Sequence, residues 1–275
     1  GKSRTTVKIF GIKQRTMAKV KTIEEADILI QSLPCDMGIH RNPRKGTLDA
    51  PEKILEGLDF HENVLIDEVF PDEFSLEETH RRIEENSSDL VEYRKPVLSI
   101  GGDHSISFPV IKALKQENPD MNLVWLDSHL DLKEKVNGHV SHDVVVRELL
   151  NNGFSEEEII FVGVTRIDYD EEEFLEEHDL EIYRPDELEE FFEKDLEREF
   201  YLSLDIDVLK EDQAPGTGYP DGELDIEEVE KVIKKVEPVH ADLVEVAPSL
   251  DINGRTIKSA QALVHTLVSD LVFES

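Results

Sequence analysis

Leu123-Val124-Trp125-Leu126-Asp127-Ser128-His129-Leu130-Asp131 sets four apolar residues directly before three metal-capable side chains at alternate positions. A short apolar run bounded by polar residues reads as a buried strand. In extended chain alternate side chains share a side, so residues 127, 129 and 131 can converge while Leu130 points away. Two more stretches follow the plan. Phe200-Tyr201-Leu202-Ser203-Leu204 runs into Asp205-Ile206-Asp207, and Val97-Leu98-Ser99-Ile100 runs into Gly101-Gly102-Asp103-His104-Ser105. Two glycines at 101 and 102 let the backbone turn sharply and bring the next side chain close to a site.

Outward from these runs, apolar segments alternate with longer amphipathic, charge-rich ones. Strands are expected at 26–33, 63–68, 97–100, 122–126, 159–164, 200–205 and 243–246. Helical patterns lie near 51–58, 76–93, 108–116, 142–151, 185–192, 226–236 and 257–272. Such alternation predicts an α/β fold with a mostly parallel sheet covered by helices on both faces. No Pro/Gly-rich linker, repeat or low-complexity tract divides the 275 residues, so residues 1–275 are read as a single domain. The chemical residues gather where strands end, where open α/β sheets place their ligands.

Charge narrows the partners. The chain carries 63 acidic and 30 basic residues, a formal net charge of -33. That surface repels phosphate backbones and anionic lipid, which argues against nucleic acid and membrane surfaces as partners. Acidic runs at 156–158, 170–173, 176–177 and 189–190 read as solvated faces, and such loading suits a halophilic, high-salt cytoplasm where screening removes self-repulsion. The lone Cys35 excludes an intrachain disulfide, points to a reducing compartment and reads as a packing residue. No stretch approaches the ~20 apolar residues of a membrane span. Gly1-Lys2-Ser3-Arg4 has no signal-peptide hydrophobic region and no initiator Met, which fits a trimmed start, and the expected compartment is the cytoplasm.

The three strand ends together offer His104 and His129 with Asp127, Asp131, Asp205 and Asp207. Four clustered carboxylates repel, and without a counter-charge some are forced to protonate. Two divalent cations balance them. Oxygen-rich ligation with some imidazole suits manganese, and the same residue types also accept iron, cobalt, nickel or zinc. An isolated Asp-x-Asp is usually a solvated turn and a lone Gly-Gly-Asp-His is weak. Three such elements, each behind an apolar strand, point to metal.

These motifs, with Ala214-Pro215-Gly216-Thr217-Gly218, Val244-Glu245-Val246-Ala247-Pro248, an early Pro34-Cys35-Asp36-Met37-Gly38 and Ala50-Pro51-Glu52-Lys53-Ile54, resemble the ureohydrolases: arginase, agmatinase, formimidoylglutamase and relatives. The resemblance spans roughly residues 26 to 272 and is nearest to agmatinase-like members. It implies the three-layer αβα, arginase-like fold and two Mn2+ ions. One metal would be bound by His104, Asp127, Asp131 and Asp205. The other would be bound by Asp127, His129, Asp205 and Asp207, with Asp127 and Asp205 bridging and a hydroxide between the ions as nucleophile. Asp131 would orient that hydroxide and take its proton. Glu245 matches the carboxylate that grips the substrate's guanidinium, whose forked donors a carboxylate accepts in pairs. His142, in Val140-Ser141-His142, is the expected proton shuttle to the leaving amine, with His139 as its competitor. The resemblance further implies a small guanidino or amidine substrate and a homo-oligomer, trimer or hexamer.

Departures from the pattern bear on the substrate. Ser128 replaces the usual Ala, Lys210-Glu211 replaces an Asp-Pro, and Tyr219 stands where Thr is common. The Asn- and Ser/Thr-rich loop with which arginases hold a substrate carboxylate is absent after Asp131, where the chain reads Leu132-Lys133-Glu134-Lys135-Val136-Asn137-Gly138. That favours an agmatinase-like enzyme releasing urea. The basic loop with Arg41, Arg44 and Lys45 looks more like that of formimidoylglutamases, which generally lack APGTG and Ser-His. Arg41, Arg44, Lys133 and Asp168 are therefore carried as weaker substrate contacts, and Arg41, Arg44, Lys45 and Lys133 as a candidate receptor for an anionic tail. Formimidoylglutamase or an arginase-like guanidino-acid hydrolase is the alternative reading. The rivals of other classes are a non-catalytic metal-binding regulator and a metal deacetylase.

Overall fold

The computed structural model describes residues 20–39, 42 and 44–273. It contains one eight-stranded sheet, β1 (Ile28–Leu33), β2 (Val64–Glu68), β3 (Val97–Gly101), β4 (Asn122–Leu126), β5 (Ile159–Val162), β6 (Glu181–Tyr183), β7 (Phe200–Asp205) and β8 (His240–Val244). The strand order is β2-β1-β3-β8-β7-β4-β5-β6, and every pairing is parallel. Helices are α1 (Ala50–Leu55), α2 (Leu76–Val91), α3 (Ser107–Glu117), α4 (Val145–Asn151), α5 (Tyr169–Leu175), α6 (Leu188–Glu193), α7 (Ile226–Val236) and α8 (Arg255–Phe273).

The central strands are mostly apolar because both faces are covered, with one polar row across them at Gln31, Ser99, Asp242 and Ser203. Ile28, Ile30, Leu98, Ile100, Val124, Leu126, Leu202 and Leu204 pack with residues of α1, α6, α7 and α8. Leu123, Trp125, Phe161 and Tyr201 face the other way, into a core shared with α2, α3 and α4. These two cores give the expected three layers. The helix termini use standard chemistry: Ser75 accepts from Glu78 N–H at the start of α2, and Asp225 accepts from Glu228 N–H at the start of α7.

Topology positions the site. The chain lays β1 to β3 on one side, crosses to build β4 to β6 on the other, then returns to insert β7 and β8 between β3 and β4. All eight carboxyl ends lie on one edge, and the order reverses at the centre, where such sheets bind ligands. The loops after β3, β8, β7 and β4 are therefore neighbours, although residues 101 to 245 separate them in sequence.

Some elements differ from expectation. β6 and α5 are additional. β8 starts three residues before the expected 243 and ends at Val244, because Glu245 turns into the left-handed region at φ 65°. The expected helix from 142 begins as a one-turn 3-10 segment, with α4 starting at Val145. Gly102 has no left-handed φ; its role is close approach, since a Cβ there would stand 1.8 Å from the carbonyl oxygen of Cys35. Cys35 itself is buried, and burial holds its thiol well above the usual range.

Candidate active site

Each functional side chain leaves the sheet at its carboxyl edge. His104 opens the turn after β3, Asp127, His129 and Asp131 follow β4, Asp205 ends β7 with Asp207 two residues on, and Glu245 follows β8. Asp103 is a brace here: its carboxylate accepts the N–H groups of Gly38 and Ser105 and so ties the His104 turn to the loop after β1.

His104 Nδ1 faces Asp127 Oδ2 at 3.1 Å, Asp131 Oδ2 at 3.3 Å and Asp205 Oδ2 at 3.3 Å. On the other side of Asp127, His129 Nδ1 lies 3.4 Å from Asp127 Oδ1 and 2.9 Å from Asp207 Oδ2. Two groups could thus each hold a metal ion, His104–Asp127–Asp131 and Asp127–His129–Asp207, with Asp127 common to both. Asp205 joins the first group through Oδ2, while its Oδ1 accepts the Asp207 N–H at 2.8 Å. His104 Nδ1 and Asp127 Oδ2 are fully buried and make no aligned hydrogen bond. Buried polar atoms rarely stay unpartnered. Lone pairs converging at contact distance without hydrogen-bond alignment are what a cation position requires, so the donor set fits divalent metal.

Electrostatics agree. Burial, then the charges of Asp207 and Asp127, push Asp205 well above the ordinary carboxylate range. Burial and the charge of Asp127 lift Asp131 to about 7 and Asp207 to about 6. Asp127 goes down despite its burial, because the His104 and His129 imidazoles both lie against it. Burial opposes charge on His104 and His129 too, but the carboxylates outweigh it and hold both imidazoles well above their usual value. Without cations the cluster keeps protons that a metal would displace.

The supports are specific. The His104 ring stacks on Trp125 at 4.0 Å and 5°. Ser128, the replacement for Ala, donates to Asp207 Oδ1 through its hydroxyl at 2.7 Å and its N–H at 3.2 Å. Asp131 and Glu245 both hold positive φ, 52° and 65°. Non-glycine residues seldom sit there, and the strain marks a constrained position.

Glu245 and His142 close the cavity over this cluster. Glu245 Oε1 accepts from the His104 N–H at 2.8 Å and lies 3.2 Å from His142 Nδ1. The other oxygen, Oε2, takes part in neither contact. Burial pulls the His142 imidazole down, but the bond to Glu245 outweighs it and raises its pKa to about 9. Tyr219 forms the opposite wall, nearly parallel to the His142 ring at 6.5 Å and edge-on to His129 at 5.5 Å.

Of the weaker candidates, Lys133 and Asp168 reach the mouth of the cavity and pair with each other at 2.6 Å. Arg44 is turned elsewhere: its guanidinium donates to the carbonyls of Thr217 and Gly218, so it braces the APGTG loop. Lys45 is exposed, and Arg41 lies outside the described residues. His139 is exposed and lines a separate groove with Met37 and Phe74, away from the cluster. Arg166, which sequence reasoning missed, also lines the mouth and bonds to Asp168 at 2.9 Å. Its place just after β5, on the same sheet edge, was the available signal.

Fold and site together define a metal-dependent hydrolase on an α/β scaffold. The arginase family model matches residues 26–269, and the chain belongs to that family. It is an enzyme acting on the C–N bonds of linear amidines. It is 30% identical over 271 residues to the agmatinase of Bacillus anthracis, covering 90% of this chain and 92% of that one. It is 27% identical to the N(1)-aminopropylagmatine ureohydrolase of Thermus thermophilus, covering 89% and 90%. The solved proclavaminate amidino hydrolase of Streptomyces clavuligerus superposes with a TM-score of 0.80 at 23% identity, over 90% of this chain and 92% of that one, and shares its fold.

Proposed function

We propose that this chain is a manganese-dependent ureohydrolase that releases urea from a linear guanidino substrate of the agmatine type. The observation that carries it is the pair of donor groups sharing Asp127, set directly beneath the Glu245–His142 pair. His104, Asp127, Asp131 and Asp205 would hold one Mn2+, and Asp127, Asp205, His129 and Asp207 the other. When bound, the ions lower the pKa of water toward neutrality and supply the positive charge that the carboxylates require.

The chain's own residues do the rest. Glu245 Oε2 is available to a guanidinium while Oε1 keeps His142 oriented. Asp131, whose Oδ2 lies at the first ion position, accepts a proton as water oxygen adds to the guanidino carbon. His142, held protonated at neutral pH, gives a proton to the departing amine nitrogen as the C–N bond breaks. Products are urea and a free amine. The names of the curated relatives support a substrate with a cationic tail. So does the state of the basic residues: Arg44 is spent on carbonyls and Lys133 is paired with Asp168. We further assign the chain to the cytoplasm as a homo-oligomer; no helix of the described residues is long and apolar enough to cross a membrane.

The test is urea release by manganese-loaded protein over a panel of agmatine, arginine, guanidino acids and formimidoylglutamate, with formamide assayed in parallel. Agmatine should be the best substrate. Lys133 and Arg166 at the mouth favour a second reading, a carboxylate-tailed substrate. A guanidino acid or formimidoylglutamate hydrolysed better than agmatine, with a Michaelis constant raised by Lys133→Ala, would establish it. No urea and no formamide from any member would remove the enzymatic assignment of the site.

A further inference from the structure

A polar row crosses the apolar sheet directly beneath His104. In register, Gln31 pairs with Ser99, Ser99 with Asp242, Asp242 with Ser203, and Ser203 with Trp125. All four polar members are fully buried, at 0% exposure. A buried carboxylate is costly unless its oxygens are satisfied. Asp242 meets that condition with two hydroxyls, Tyr201 Oη donating to Oδ2 at 2.7 Å and Ser203 Oγ donating to Oδ1 at 2.8 Å. Ser203 Oγ also lies 2.8 Å from His104 Nε2.

Counting protons along this chain decides the state of His104. A serine hydroxyl has one proton to donate. With that proton committed to Asp242, Ser203 can only accept from His104, so Nε2 carries the hydrogen. Nδ1, which faces Asp127, Asp131 and Asp205, is then the nitrogen whose proton a cation displaces and whose lone pair it takes. Were Asp242 uncharged and donating to Ser203, the serine proton would turn to Nε2, and neutral His104 would carry its hydrogen on Nδ1, closed to metal. Trp125, the far member of the row, stacks flat on the same imidazole and fixes its plane.

We infer that Asp242, acting through Ser203, is a positioning residue that sets the tautomer and orientation of His104 for metal. The inference rests on the metal reading proposed above. It concerns one ion position, because His104 belongs only to the His104–Asp127–Asp131 group. Partners of this kind behind a ligating histidine typically contribute 10- to 100-fold in metal affinity.

The experiment is manganese titration of the full chain by calorimetry and chelator competition, for wild type, Ser203→Ala, Asp242→Asn and the double variant. Thermal melts of each accompany the titrations. Ser203→Ala removes one oxygen and keeps the backbone, so it reports even where Asp242→Asn fails to fold. The expected result is a loss of roughly 10- to 100-fold in affinity at one of two positions, with the other unchanged. In the cycle, Asp242→Asn should add little once Ser203 is Ala, since both act through one hydrogen bond. A purely structural role would lower the melting temperature and leave the two affinities as they are, or weaken both alike, and either result would overturn the inference. Wild type taking up two ions with Ser203→Ala equal to it would overturn the relay alone. Wild type taking up none would overturn the metal reading and the relay with it.

Discussion

Replacing Glu245 by Gln removes one negative charge and keeps the side-chain shape, so the left-handed backbone at φ 65° and the acceptor for the His104 N–H survive. The change separates two roles that meet in one carboxylate. The first is its hold on His142, whose pKa is raised to about 9 by the Glu245 hydrogen bond against the pull of burial. Without that negative charge the imidazole falls toward its ordinary ~6.5, a change of up to about 2.5 pH units or roughly 3 kcal/mol. At pH 8 the protonated fraction then drops from roughly 90% to about 3%, a ~30-fold loss of the proton-donating form. The second, proposed role is the grip on the guanidinium, where a lost charge-assisted hydrogen bond would cost about 1.5–3 kcal/mol, or roughly 10- to 100-fold in the Michaelis constant. The assay is steady-state urea release from agmatine between pH 5.5 and 10. Wild type should lose kcat on the alkaline side as His142 deprotonates near 9, and Glu245→Gln should lose it near or below 6.5, with a raised Michaelis constant at every pH. An alkaline limb that stays near 9 in the variant would refute the coupling, and an unchanged Michaelis constant would refute the grip.

Three other outcomes follow from the geometry. His142→Ala should lower kcat by about 10²- to 10⁴-fold, the usual worth of a positioned proton donor, while manganese affinity stays within a factor of a few; His139→Ala should be near wild type, and an inactive His139→Ala would transfer the role. Removing metal should make stability fall as pH rises. Asp131, Asp205 and Asp207 keep their protons above the ordinary range in the folded chain, so from about pH 4 to 7 the unfolded state binds fewer protons, and the metal-free melting temperature should be lower at pH 7 than at pH 5. Manganese should abolish that slope, and a metal-free melting temperature that climbs with pH would contradict it. Arg44→Ala should cost about 1–2 kcal/mol, or roughly 2–4 °C in melting temperature, through its two lost carbonyl contacts, with the Michaelis constant for agmatine unchanged.

The central strands were legible because parallel strands buried on both faces are mostly apolar, and β3, β4 and β7 are, with Ser99, Asn122 and Ser203 as the polar interruptions before the site. The metal-capable residues were legible for a related reason: polar groups directly behind such runs have only the sheet edge to occupy. β6 gave no such signal, since it is three half-buried residues on the edge of the sheet, paired only with β5. The acidic run Asp170-Glu171-Glu172-Glu173 looked like a solvated face, yet it lies in α5 and buries Glu171, which accepts the Leu132 N–H. β8 was set too late because His240 and Asp242 do not look like strand-core residues; their place in the strand depends on partners on β3 and β7 that only the folded sheet supplies. The same dependence on tertiary neighbours hid Arg166 and turned Arg44 from a substrate candidate into a loop brace.

Manganese stoichiometry tests the central claim most directly. The chain should be stripped with chelator, loaded with excess manganese, freed of unbound metal and subjected to elemental analysis. Two donor groups that share Asp127 could each hold an ion, so the proposal predicts two ions per chain, and Asp127→Asn, which touches both groups, should lower both. One ion or none per wild-type chain would contradict the account.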